Sequence, residues 1–107
     1  MGFSQGIMPN KSSWTHGQAT VASAGTAVQL STESVPVPDG CQLTVIAKPG
    51  NGAGIIYTGN SKDEAEGANK FDGLEAGLAK SLKVNDANLV WVNSDSDGIG
   101  VSWYVEQ

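Results

Sequence analysis

The chain has 107 residues, a formal net charge of −5 and one cysteine, a length that gives a single domain with a modest core. Its basic residues are six lysines with no arginine, which on an acidic chain argues against nucleic-acid recognition by a basic surface or the arginine fork. A lone cysteine excludes an intrachain disulfide and any cysteine-based zinc centre.

The remaining composition, rich in Gly, Ser, Thr, Asn and Gln, suits strands, turns and polar surfaces rather than a helical bundle. No apolar run is long enough to span a bilayer as a helix. No stretch shows the basic-then-apolar pattern of a secretory leader. The opening MGFSQG misses a myristoylation motif because Gly6 stands where Ser or Thr is needed.

Residues 1–18, MGFSQGIMPNKSSWTHGQ, have no clean period. Phe3, Ile7, Met8 and Trp14 stand among small and polar residues, and Pro9 blocks a continuous helix. The segment reads as an extended N-terminal arm ahead of a domain at residues 19–107. It is either a frayed terminus or a docking arm; a solvated tail has little use for four large apolar side chains.

Residues 19–31 hold the first strands. Val28 and Leu30 share one side, Ala27 and Gln29 the other, and Ala24-Gly25 divides the run. Residues 33–40, ESVPVPDG, form a loop or edge segment, since two prolines cannot donate to a sheet ladder. Residues 41–59, CQLTVIAKPGNGAGIIYTG, carry the clearest local signal. Cys41, Leu43, Val45 and Ala47 alternate with Gln42, Thr44 and Lys48, Ile46 being the exception, as in a half-buried strand. PGNGAG supplies reversal residues, and Ile55, Ile56 and Tyr57 carry the chain back. The pattern predicts a hairpin.

The charged stretch after Gly59 contains either a short helical turn over residues 63–68, capped by Ser61 or Asn60, or a long surface loop. Phe71 and Leu74 are expected to pin its end to the core. Residues 78–84 read as a strand with Leu78, Leu82 and Val84 inward, and Lys80 marks an edge. Asn85-Asp86 turns the chain. Residues 88–93, NLVWVN, and 99–105 are strands joined by the polar hairpin loop SDSDGIG. Ile99, Val101, Trp103 and Val105 share a core face, whereas in the preceding strand either Leu89 and Trp91 or Val90 and Val92 are buried. Seven or eight short strands predict an all-β fold: one β-sandwich, jelly-roll-like or Ig-like.

No catalytic constellation is present, and the sequence predicts neither an enzyme nor a cofactor. Cys41 lies on an apolar strand face with no basic partner nearby, as an inert thiol does. His16 is the only histidine. Asn93, Asp95, Asp97 and Gly98 resemble the front half of a calcium loop. The closing carboxylate would fall at Tyr104, so a plain loop is favoured. Asp63, Glu64 and Glu66 are sequence neighbours, not carboxylates fixed across a cleft, and read as a solvated surface.

Several segments together resemble small β-sandwich virion proteins of tailed bacteriophages. They are GTAVQLS at 25–31, the Val-Pro stretch at 35–38, LTVIAKPGN at 43–51, GIIYTGNS at 54–61, LEAG at 74–77, NLVWVNS at 88–94 and VSW at 101–103. The resemblance implies a structural protein of the capsid decoration (cement) or head-fibre type, located on the virion and without catalytic residues. It implies the major capsid protein as partner and a homo-oligomer, with a trimer as one form; neither nucleic acid nor membrane is expected. The expected interface residues are Phe3, Ile7, Met8 and Trp14 in the arm and Trp91 in the body. The alternative is a carbohydrate-binding or host-adhesion module using exposed rings, chiefly Trp91 and Tyr57.

Overall fold

A computed structural model describes residues 15–67 and 71–105. It contains eight strands: β1 (Thr15–Val21), β2 (Val28–Gln29), β3 (Leu43–Ala47), β4 (Ile56–Gly59), β5 (Phe71–Leu74), β6 (Ala79–Leu82), β7 (Trp91–Ser94) and β8 (Ile99–Val105). One short helix, α1 (Lys62–Glu66), and two 3₁₀ turns, Pro49–Asn51 and Ala87–Leu89, complete the described elements.

The strands form two four-stranded antiparallel sheets, ordered β1-β8-β3-β6 and β2-β7-β4-β5. That order is the double Greek key of a jelly roll, one of the two sandwich types expected from the sequence. Almost every connection therefore passes from one sheet to the other. Only β4 and β5 are both consecutive and paired.

This corrects the predicted hairpin at residues 41–59. β3 and β4 lie in opposite sheets and face each other across the core, so PGNGAG is an arch. Asn51 holds that arch in place: its Nδ2 donates to the Gly100 carbonyl at 2.8 Å, and its Oδ1 accepts from the Gly100 N–H at 3.0 Å. Asn51 thus takes the Gly100 N–H and shares the Gly100 carbonyl with the Lys48 N–H, which donates to it at 3.1 Å. The loop between β7 and β8 is likewise an arch, not the expected hairpin loop.

Alternation places the core as the sequence indicates. Leu43, Val45 and Ala47 from β3 meet Val101, Trp103 and Val105 from β8 on one side. Ile56, Val92 and Leu74 come from the other sheet. Cys41 is half-buried against this cluster. The ambiguity around Trp91 resolves: Val90 and Val92 are buried, Leu89 is 50% exposed, and residues 87–89 form a 3₁₀ turn rather than strand. Leu78 is also exposed, outside the strand and in a turn, while Leu82 and Val84 pack on the core. β6, with Lys80, is an edge strand as read.

α1 forms where the charged stretch permits it. Ser61 is its N-cap, accepting from the Glu64 N–H at 3.1 Å, and Asp63 and Glu64 complement the first turn. Ala68, the last residue of the predicted turn, and the side chain of Phe71 lie outside what is described; Leu74 joins the core. β1 begins at Thr15, so residues 15–18, grouped with the arm from sequence, form part of the sandwich.

Candidate binding surface

Most acidic and amide side chains with definite geometry are engaged in holding loops. Asp86 caps the turn at 87–89: its Oδ1 accepts from the Asn88 N–H at 2.9 Å and from the Val35 N–H at 2.8 Å, and its Oδ2 accepts from Ser34 Oγ at 2.5 Å. Partial burial pushes its carboxyl upward, but these three donors outweigh that and hold it below the usual aspartate range. Glu66 accepts from Lys62 Nζ at 2.5 Å and from the Ala27 N–H at 2.8 Å, and the Lys62 bond chiefly lowers its pKa.

The residues of the calcium-like loop are used the same way. Asp95 Oδ1 accepts from the Ile55 N–H at 2.9 Å, and Asp97 Oδ1 accepts from the Ala24 N–H at 2.7 Å. The two carboxylates tie down two different loops. Among the described residues no group of three or more His, Cys, Asp and Glu converges on a possible metal position.

The expected arm contacts Phe3, Ile7, Met8 and Trp14 lie outside the described residues. Trp91 is half-buried on the outer face of the second sheet, in a row with Gln29 and Gly59. Tyr57 stands on the same face, opposite Asn93. α1 covers this square of residues along its Gly59–Asn93 diagonal. Ala65 is fully buried there, and its carbonyl accepts from Asn93 Nδ2 at 3.1 Å. Tyr57 and Trp91 therefore sit on opposite flanks of the helix and do not form one continuous platform.

The surface is marked by shallow grooves. One of about 220 Å³ lies on the outer face of the first sheet among His16, Gln18, Ile46, Ser102 and Tyr104. Another, of about 330 Å³, runs along the seam between β1 and β2, lined by Gly17–Thr20, Val28–Glu33 and Trp103. The Trp103 indole reaches this seam from β8. Its ring lies so close to Gly17 that a Cβ there would stand 2.5 Å from it. Trp103 is only 6% exposed, and its Nε1 has no hydrogen-bond partner among the described residues. Indole N–H groups usually find an acceptor when buried. Sequence reasoning placed Trp103 in the core but missed this orphaned donor, because Gly17 was assigned to the arm rather than to a strand beside β8.

No protein-family model, curated protein or solved structure matches the chain. The likeness to tailed-phage virion proteins thus rests on the strand and turn motifs of the sequence.

Proposed function

We propose that this chain is a virion structural protein, a capsid decoration (cement) protein that binds and stabilises the assembled head. The observation that carries the reading is the continuity in sequence of the apolar-studded residues 1–14 with β1, the terminal strand of a sandwich whose Asp86, Asp95 and Asp97 carboxylates bond to its own loops. A cement protein needs an inert body and a peripheral segment that bridges neighbours, and such contacts stabilise an assembly by mass action without chemistry. Phe3, Ile7, Met8 and Trp14 would anchor in grooves of the major capsid protein or of sister subunits, with sheet edges adding strands. The jelly roll is an architecture that viral capsid domains share, which supports the reading by analogy of fold.

The test is binding to purified heads of the phage that encodes the chain, measured by co-sedimentation. Removing residues 1–14 is expected to abolish occupancy while the circular dichroism of the body is retained. Undiminished occupancy overturns the role given to the arm.

Carbohydrate binding is the second reading, supported by the half-exposed Trp91 and Tyr57 and by the use of jelly rolls in lectins. It predicts glycan-array hits that Trp91→Ala removes. The separation of the two rings by α1 weighs against it.

A further inference from the structure

The pair Asn-Gly occurs once in the chain, at Asn51-Gly52, and it falls at the lock of the arch between β3 and β4. Asn51 closes the 3₁₀ turn Pro49–Asn51, and Gly52 follows it with a φ of 65°, in the left-handed region that favours glycine. The Asn51 carboxamide is held at both ends by Gly100 of β8, at 2.8 and 3.0 Å. Its main-chain carbonyl accepts from the Gly54 N–H at 3.2 Å. Two arches meet here. Asp95, between β7 and β8, accepts from the Ile55 N–H, and Gly54 is buried so closely against the Ile99 side chain that no Cβ fits between them.

An asparagine followed by glycine has a spontaneous chemistry of its own. The glycine main-chain nitrogen loses its proton and attacks the asparagine Cγ. A C–N bond forms, the Cγ–Nδ2 bond breaks, and ammonia leaves with the proton it needs from water. Water then opens the five-membered imide at either carbonyl, giving aspartate or isoaspartate. Glycine favours the attack because it has no Cβ to crowd the nitrogen.

We propose that Asn51-Gly52 is a spontaneous modification site guarded by the fold: the closed arch holds the reaction off, and conversion during a local opening removes the lock for good. The guard is the pair of bonds to Gly100. Both ends of the carboxamide are engaged with β8, so Cγ turns back to the Gly52 nitrogen only when those bonds are given up. The products do not restore them. A carboxylate has no N–H for the Gly100 carbonyl and sets oxygen against oxygen there. In the isoaspartyl form the main chain is one carbon longer and the side chain one carbon shorter, which moves the carboxylate away from Gly100. The inference does not depend on the capsid reading. It gives the fold a chemical lifetime set by how often one arch opens, not by global unfolding.

The test incubates the purified full-length chain at mildly alkaline pH, with a parallel sample unfolded in urea, and follows both by peptide mass mapping. Expected is amide-to-acid conversion at residue 51 ahead of every other asparagine, faster as the pH is raised and absent in Asn51→Ala. The folded chain should convert about tenfold or more slowly than the unfolded one, as a site that reacts from a locally opened state does. Urea below the unfolding transition should change the folded rate by less than about twofold, because a local opening exposes little surface. The converted fraction, separated by anion exchange on its added charge, should melt at least about 4 °C lower. Another asparagine converting first, equal rates in the folded and unfolded samples, conversion only within the unfolding transition, or a converted fraction that melts with the unconverted one overturns the proposal.

Discussion

Gly59→Ala tests how α1 is held on the second sheet. Gly59 lies in β4 without a positive φ, so its backbone accepts alanine; the difficulty is space. A Cβ at position 59 would stand 2.6 Å from the Ala65 nitrogen and 2.9 Å from its Cα. Ordinary contact requires about 3.5 Å, so the helix must retreat by roughly 1 Å. That retreat takes the Asn93 Nδ2 to Ala65 carbonyl bond, now 3.1 Å, beyond hydrogen-bonding range. Asn93 is 4% exposed, so its Nδ2 is left buried and unpaired, a cost of about 1–3 kcal/mol. Overpacking adds about 1–3 kcal/mol. Replacing a strand glycine returns roughly 0.5–1 kcal/mol.

The expected loss is about 3 kcal/mol, from the sum of these contributions. A domain of this size should then melt at least about 12 °C lower. Thermal and urea unfolding followed by circular dichroism measure it, with the midpoint falling and the slope unchanged. The clash is with the backbone of residue 65, so adding Ala65→Gly should give no rescue. A Gly59→Ala protein within about 0.5 kcal/mol of wild type, the range of unremarkable surface changes, refutes the reasoning. So does a double variant more stable than the single one.

Other outcomes follow from the same geometry. Asn51→Ala removes both side-chain bonds to Gly100 but leaves its carbonyl bonded to the Lys48 N–H, so the cost in urea unfolding should be that of one buried N–H without a partner, about 1–2 kcal/mol. Asp86→Ala uncaps the turn at 87–89 and frees the Val35 N–H, and should also cost about 2 kcal/mol. Asp86 and Glu66 have lowered pKa values in the folded chain, so the unfolded state takes up protons first as the pH falls. Their contribution is complete above the unfolded carboxylate value of about 4 and is lost below it, as the pH passes through the folded values. Melting temperatures measured from pH 7 to pH 2.5 should fall in that acid range, and Asp86→Asn should flatten the fall; an unchanged slope counts against the assignment.

Most of the strands and their faces were legible in the sequence because each is set locally, whereas β5 was read only as the end of a charged loop and α1 was left open between a helical turn and a surface loop. Alternation marked the inward faces of β3 and β8; the cap of α1 stood open between Ser61 and Asn60, and the structure places it at Ser61. The pairing was not legible. A glycine-rich stretch bends the chain whether it returns beside the same strand or crosses to the other sheet, and PGNGAG was read as the former. The deciding contact is Asn51 with Gly100, two positions 49 residues apart that no local pattern connects. The orphaned Trp103 donor was hidden for the same reason: it depends on Gly17 lying beside residue 103 across β1 and β8.

This dependence on distant pairs bears on where function can reside. Asn51, Glu66, Asp86, Asn93, Asp95 and Asp97 all bond to backbone groups, and most of those bonds lock one loop or strand to another far along the chain. A jelly roll whose connections nearly all switch sheets needs such locks, because few of its neighbours in sequence are neighbours in the ladder. Glu66 and Asp86 are poor candidates for acid–base work: the hydrogen bonds they accept lower their proton affinity, and moving them loosens the loops they hold. Beside the regular pairing of β1 with β8 lie the seam and the buried Trp103 indole N–H, which has no acceptor among the described residues. A regular strand edge is a surface that recognises main chain and apolar side chains.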